Sequence, residues 1–107
     1  MSVKMRKGGS ARLIIENFAD EDTVTIPAGF KLERVITKKI GTVAGNLLVG
    51  TAQGGGQIVN TVALGTVDGV MADHTLLATL FAVDTTLYID VSSAATGDIS
   101  FLIQKIY

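Results

Sequence analysis

Hydrophobic and polar residues alternate with a period of two along much of this chain, most clearly over residues 84–107. Leu87, Ile89 and Val91 alternate with Tyr88, Asp90 and Ser92. A small-residue turn follows, Ser93-Ala94-Ala95-Thr96-Gly97-Asp98. Ile99, Phe101 and Ile103 then alternate with Ser100, Leu102 and Gln104. A period of two puts every second side chain on one face of a strand. The pattern therefore predicts two strands, each with one buried face, joined as a β-hairpin. Ile89 and Phe101 are the expected core anchors.

The same reading extends upstream. Residues 12–17 alternate around Leu13 and Ile15, residues 23–26 are short and β-branched, and residues 31–40 form a long strand candidate. Leu47 and Val49 lie opposite Leu48 in residues 46–51, and residues 57–64 alternate around Ile58, Val62 and Leu64. Turn residues separate these segments: Asp20-Glu21-Asp22, Pro27-Ala28-Gly29, the pair Gly41 and Gly45, Gly54-Gly55-Gly56, and Asp68-Gly69. Proline presets its own φ for a turn, and Gly29 supplies a positive φ. Residues 71–83 read two ways. Leu76, Leu77, Leu80 and Phe81 have helical spacing with Asp73 as a cap, whereas Thr75, Thr79 and the flanking valines favour a strand, the reading adopted here. About eight short strands at spacings of about 8 to 12 residues predict an all-β fold, an antiparallel β-sandwich. Eight is also the strand number of a jelly roll built from two Greek keys, so the sandwich is expected to be jelly-roll-like.

Residues 1–10 break this pattern. They are polar, basic and glycine-tipped, and are expected to form a flexible N-terminal arm ahead of a single domain spanning 11–107. Its cations Lys4, Arg6 and Lys7 are candidates for docking the arm on a neighbouring protein subunit. Gly8-Gly9-Ser10 stands where a secretory signal would place its apolar core, so no signal is expected. Nor is there an uninterrupted apolar run of about 20 residues that would cross a membrane.

Composition adds two points. Hydrophobic residues make up 48% of the 107 and charged residues 18%. A folded monomer of this mass exposes roughly 5,700 Å², and so few charges protect that area poorly against association. Burial of part of it in a homo-oligomer is the expected outcome; the alternative is a neutral, Thr- and Gly-rich monomer surface. Charge is also segregated along the chain. Eight of the nine Lys and Arg lie in residues 1–39, which sum to +3, and the remainder sums to −4. Opposite-sign halves suggest head-to-tail contacts between copies, with Asp84, Asp90 and Asp98 as an acidic surface. A net charge of −1 without a long basic run argues against nucleic acid as a partner.

Candidate chemistry is sparse. Without cysteine there is no thiolate metal site. The single histidine, His74, has Asp73 beside it in sequence, which in a strand faces the other way, so a surface or turn histidine is expected rather than a general base. The Asp20-Glu21-Asp22 cluster lacks the spacing of a calcium loop. Gly54, Gly55 and Gly56 lack the following Lys-Ser/Thr of a phosphate loop and are read as a flexible hairpin loop. No G-x-S-x-G elbow is present. Tyr88, on the face opposite Leu87 and Ile89, is an exposed aromatic candidate. With Gly54–Gly56 it forms a candidate recognition surface. No catalytic residue, metal site or cofactor is predicted.

The order of several short motifs carries a resemblance. Val24-Thr25-Ile26-Pro27-Ala28-Gly29 is followed by a long strand, then Leu47-Leu48-Val49-Gly50-Thr51-Ala52, then Asp84-Thr85-Thr86-Leu87-Tyr88-Ile89, and finally Thr96-Gly97 leading into a last strand. Over residues 22–107 this is similar to small β-sandwich virion proteins of tailed bacteriophages, of the head-decoration and head-fibre type. Gln53-Gly54-Gly55-Gly56 departs from that pattern, which often has an acidic or proline-containing loop there. The resemblance implies a non-enzymatic, trimeric protein of the virion, assembled in the host cytoplasm. Its partners would be itself and the major capsid or another virion protein. The alternative from another class is a phage-fibre module that binds host glycans or a receptor.

Overall fold

The computed structural model describes residues 2–5, 10–74, 76 and 80–106, with the side chains of 2–5, 10 and 80 outside the description. Ten strands occur among these residues: β1 (Ser2–Met5), β2 (Ser10–Ile15), β3 (Thr23–Ile26), β4 (Phe30–Ile40), β5 (Gly45–Gly50), β6 (Val59–Leu64), β7 (Met71–His74), β8 (Leu80–Phe81), β9 (Thr85–Val91) and β10 (Thr96–Lys105). Every pairing is antiparallel. One sheet runs β1-β2-β10-β4-β7, with β8 also on β4; the other runs β3-β9-β5-β6. Leaving out β1 and the two-residue β8, the eight remaining strands give the interleaved strand order of a jelly roll, and the all-β sandwich read from the sequence is the fold.

The two sheets close on one core. Leu13, Val35, Ile99 and Phe101 face inward from the six-stranded sheet, and Val24, Leu47, Val49, Leu87 and Ile89 from the four-stranded one. Phe18, in the link from β2 to β3, is buried among them; its N–H donates to the Gly97 carbonyl at 2.8 Å. The chain exposes 5646 Å², the area expected of a monomer of this mass.

Three expectations are corrected. First, β9 and β10 are not a hairpin. They never pair: β9 lies in the four-stranded sheet and β10 in the six-stranded sheet. Ser93 and Ala94, both with positive φ, turn the chain across the sandwich, and the two apolar faces meet through the core. Alternation marks a buried face but cannot say whether the partner is beside the strand or opposite it. Second, residues 2–5, read as part of an arm, form β1, with Lys4 opposite Arg12 in the pairing with β2. Arg6 and Lys7 lie outside the described residues. Third, the charge segregation does not survive folding, because β4 is flanked by β10 and β7. Asp98 comes opposite Lys38, and Asp73 ion-pairs with Arg34 at 2.6 Å. Asp84 and Asp90 instead hold loops, Asp84 accepting the Ala28 N–H at 2.7 Å. The three aspartates form no common acidic surface. The stretch 71–83 supplies β7 and β8, in keeping with the strand reading; Thr75, Leu77, Ala78 and Thr79 lie outside the description.

One irregularity positions the site described next. The β4–β10 register shifts between Leu102 and Ile103, so that Leu102 faces Arg34 while Ile103 faces Leu32. Glu33 is the extra residue of a β-bulge. Glu33 and Arg34 are both exposed, and beyond them Val35, Thr37 and Lys39 turn inward.

Candidate functional site

β6 and β7 are edge strands of opposite sheets, joined by residues 65–70. Between them opens a cleft of about 260 Å³. Thr37 and Lys39 of β4 line it together with Ala72 and His74 of β7, while Leu64, Gly65, Val67 and Val70 close it from β6 and the connection. The connection is docked rather than free. Gly69, at φ 84°, donates its N–H to the Lys39 carbonyl at 2.8 Å, and the Asp68 carboxylate accepts the Gly41 N–H at 2.7 Å.

The cleft is apolar except for three side chains. Thr37 is only 3% exposed and Lys39 only 5%. The Thr37 hydroxyl and His74 Nε2 share a hydrogen bond of 2.7 Å. Strand pairing explains their meeting: Ala72 lies opposite Thr37 and His74 opposite Val35, so His74 and Thr37 are diagonal neighbours on the inner face. The Lys39 ammonium donates to the Ile40 and Gly41 carbonyls at 2.8 and 3.2 Å. Among the described residues it has no carboxylate within ion-pair distance.

His74 is thus a half-buried cleft residue rather than the surface or turn histidine expected. Asp73 does take the opposite face, where it pairs with Arg34. Burial pushes the His74 pKa down from its ordinary value, and the Asp73 carboxylate opposes this. An unfolded chain then binds more protons than the folded one as pH falls below about 6.5, and stability falls with it. The expected result is a wild type that loses stability from pH 7.5 downward through the folded-state pKa, and a His74→Gln variant with a flatter profile. Urea titrations at several pH values check this; parallel profiles for the two proteins would refute it.

The residues proposed from the sequence fall elsewhere. Tyr88 is half-buried on the outer face of the four-stranded sheet, opposite Thr23 and Gly50. Asp90, two residues on and on the same face, accepts the Gly54 N–H at 2.7 Å and a hydrogen bond from the Gln53 amide. The loop of Gly54, Gly55 and Gly56 does join paired strands, β5 and β6. It is tied down by Asp90 and by an internal Gly55 N–H to Ala52 carbonyl bond of 3.0 Å, not loose as expected. Tyr88 and the glycine loop therefore share one side of the molecule. Lys4 sits on β1, at the edge of the other sheet. In the acidic turn, Asp20 accepts the Val91 N–H at 3.0 Å and Asp22 the Ala19 N–H at 2.8 Å, so both serve the backbone. Among the described residues no three of His, Cys, Asp and Glu converge as metal ligands.

Lys39 and Thr37 were missed because the bulge reverses the alternation ahead of them. The available signal was Val35, whose phase carries both residues inward. No protein-family model matches the chain, and no curated protein matches it in sequence. The structure by itself defines an all-β jelly-roll protein.

Proposed function

We propose that this protein is a non-enzymatic structural component of a tailed-phage particle. In this reading the jelly roll associates with copies of itself as a trimer and attaches to the major capsid or another virion protein. The observation that carries the reading is the outer face of the six-stranded sheet. Ile14, Ile36 and Leu102 lie there partly exposed, beside Met71 at 66% exposure. Cations (Arg12, Arg34, Lys38) and anions (Glu16, Asp73, Asp98) alternate around them. A mixed-charge rim around an apolar centre suits contact with another copy. Jelly rolls also build viral capsid domains, a fold-level analogy only.

Native mass spectrometry at micromolar concentration tests self-association. A trimer is expected from the wild type, and from Ile36→Lys a folded monomer that still unfolds cooperatively, at a lower temperature than the trimer. A monomeric wild type would overturn the reading. Attachment is tested by co-sedimentation with purified phage heads, which deletion of residues 2–9 is expected to abolish.

A second reading, a module that binds host glycans or a receptor, is favoured by Tyr88 lying beside the clamped glycine loop. Glycan-array binding lost in Tyr88→Ala would support it over the structural reading.

A further inference from the structure

The cleft between β6 and β7 has a feature that the structural reading does not use. Lys39 is almost fully buried, yet no described carboxylate neutralises it. Burying an ammonium without a counter-charge is costly, and two carbonyl contacts offset that only in part. The third N–H of the ammonium has no acceptor among the described residues. The nearby Asp68 is engaged by the Gly41 N–H, and Asp73 lies on the other face against Arg34. The charge left in the cleft is positive. Thr37 and His74 line the same cleft as further hydrogen-bonding groups, and the remaining wall, including Leu64, Val67 and Val70, is aliphatic.

We infer that this cleft is a binding site for a small aliphatic carboxylate. The carboxylate would meet the Lys39 ammonium and the Thr37–His74 pair, and the hydrocarbon would lie along Leu64, Val67 and Val70. A volume of about 260 Å³ holds roughly eight or nine non-hydrogen atoms at about 30 Å³ each. This matches a monocarboxylate of about six carbons. An amine is disfavoured because it would meet the lysine. An inorganic anion would leave the aliphatic wall unused. Val67 is 61% exposed and Val70 51%, so the open side of the cleft carries the apolar surface that a hydrocarbon chain would cover. The cleft lies on a different face from the one proposed for self-association, so carboxylate binding there does not depend on trimer formation.

Titration of the ¹⁵N-labelled protein with sodium hexanoate tests it, with 1-hexanol and sodium sulfate as comparison probes. Saturable shifts are expected at the amides of Thr37, Gly65, Ala72 and His74, with a dissociation constant on the order of 1 mM or below. Hexanol is expected to bind at least tenfold more weakly, and sulfate to leave these amides unmoved. Lys39→Met keeps the aliphatic stem and is expected to erase the preference for hexanoate over hexanol. Ala72→Leu fills the cleft from the adjacent strand and is expected to abolish binding of both, which keeps the test decisive if Lys39→Met fails to fold. Equal binding of hexanol and hexanoate, equal binding of sulfate, shifts confined to another face, or undiminished binding in Ala72→Leu would each overturn the inference.

Discussion

Replacing Phe101 by alanine is expected to cost about 3–5 kcal/mol of folding stability. Phe101 is 0% exposed and belongs to β10, the strand held between β2 and β4. Its neighbours across the ladder are Leu13 and Val35, both buried, so nothing near it is free to collapse into the space left behind. The loss therefore combines lost transfer energy with a residual cavity. Domains of this size are stable by about 5–15 kcal/mol, so the variant would sit near the edge of folding. Leu102→Ala is the matched control. It lies on the outer face of the same strand, opposite Arg12 and Arg34, and is only partly buried; its cost should stay below about 1.5 kcal/mol. Equilibrium guanidinium unfolding of the two variants measures the difference. A loss below about 1 kcal/mol for Phe101→Ala would contradict the packing described.

Gly97→Ala is expected to destabilise by about 2–3 kcal/mol, although it adds one methyl group. The glycine is the second residue of β10, opposite Lys39, and a Cβ there would collide with the Lys38 carbonyl oxygen and crowd the Phe18 ring. A backbone carbonyl cannot rotate aside as a flexible side chain does. The chain must shift, and Gly97 itself anchors Phe18 by accepting its N–H. Gly65→Ala, where a Cβ meets nothing within 4 Å, should change stability by no more than about 0.5 kcal/mol. Thermal melts of both variants read the contrast directly. Equal melting temperatures would show that the close approach at Gly97 is readily relieved.

Much of the architecture was legible in the residues because burial on one face of a strand is a local property. Thr23–Ile26 is the strand expected, with Val24 and Ile26 inward. Leu87, Ile89 and Val91 face the core, as do Ile99, Phe101 and Ile103. Gly29, Gly41 and Gly69 take the positive φ that their turns require. The candidate site was much less legible. Tyr88 and Gly54–Gly56 do come to one side of the molecule, but the residue joining them, Asp90, gave no sign of its role, because its hydrogen bonds span 36 and 37 positions of sequence.

The sequence alone determined which residues face inward along most strands and where the chain turns. These follow from periodicity and from the backbone freedom of single residues, both properties of a few neighbouring positions. Only the tertiary structure decided which strands lie side by side. β9 and β10 bury their apolar faces in one core from opposite sheets, an arrangement that has the same alternation as a hairpin. It also decided the phase of β4. By simple alternation Leu32 shares a face with Arg34, Ile36 and Lys38. The bulge at Glu33, formed because Leu32 and Val35 both gain by burial opposite Ile103 and Phe101 of β10, turns Thr37 and Lys39 inward instead. Register against a distant strand, not local pattern, placed a lysine in the cleft.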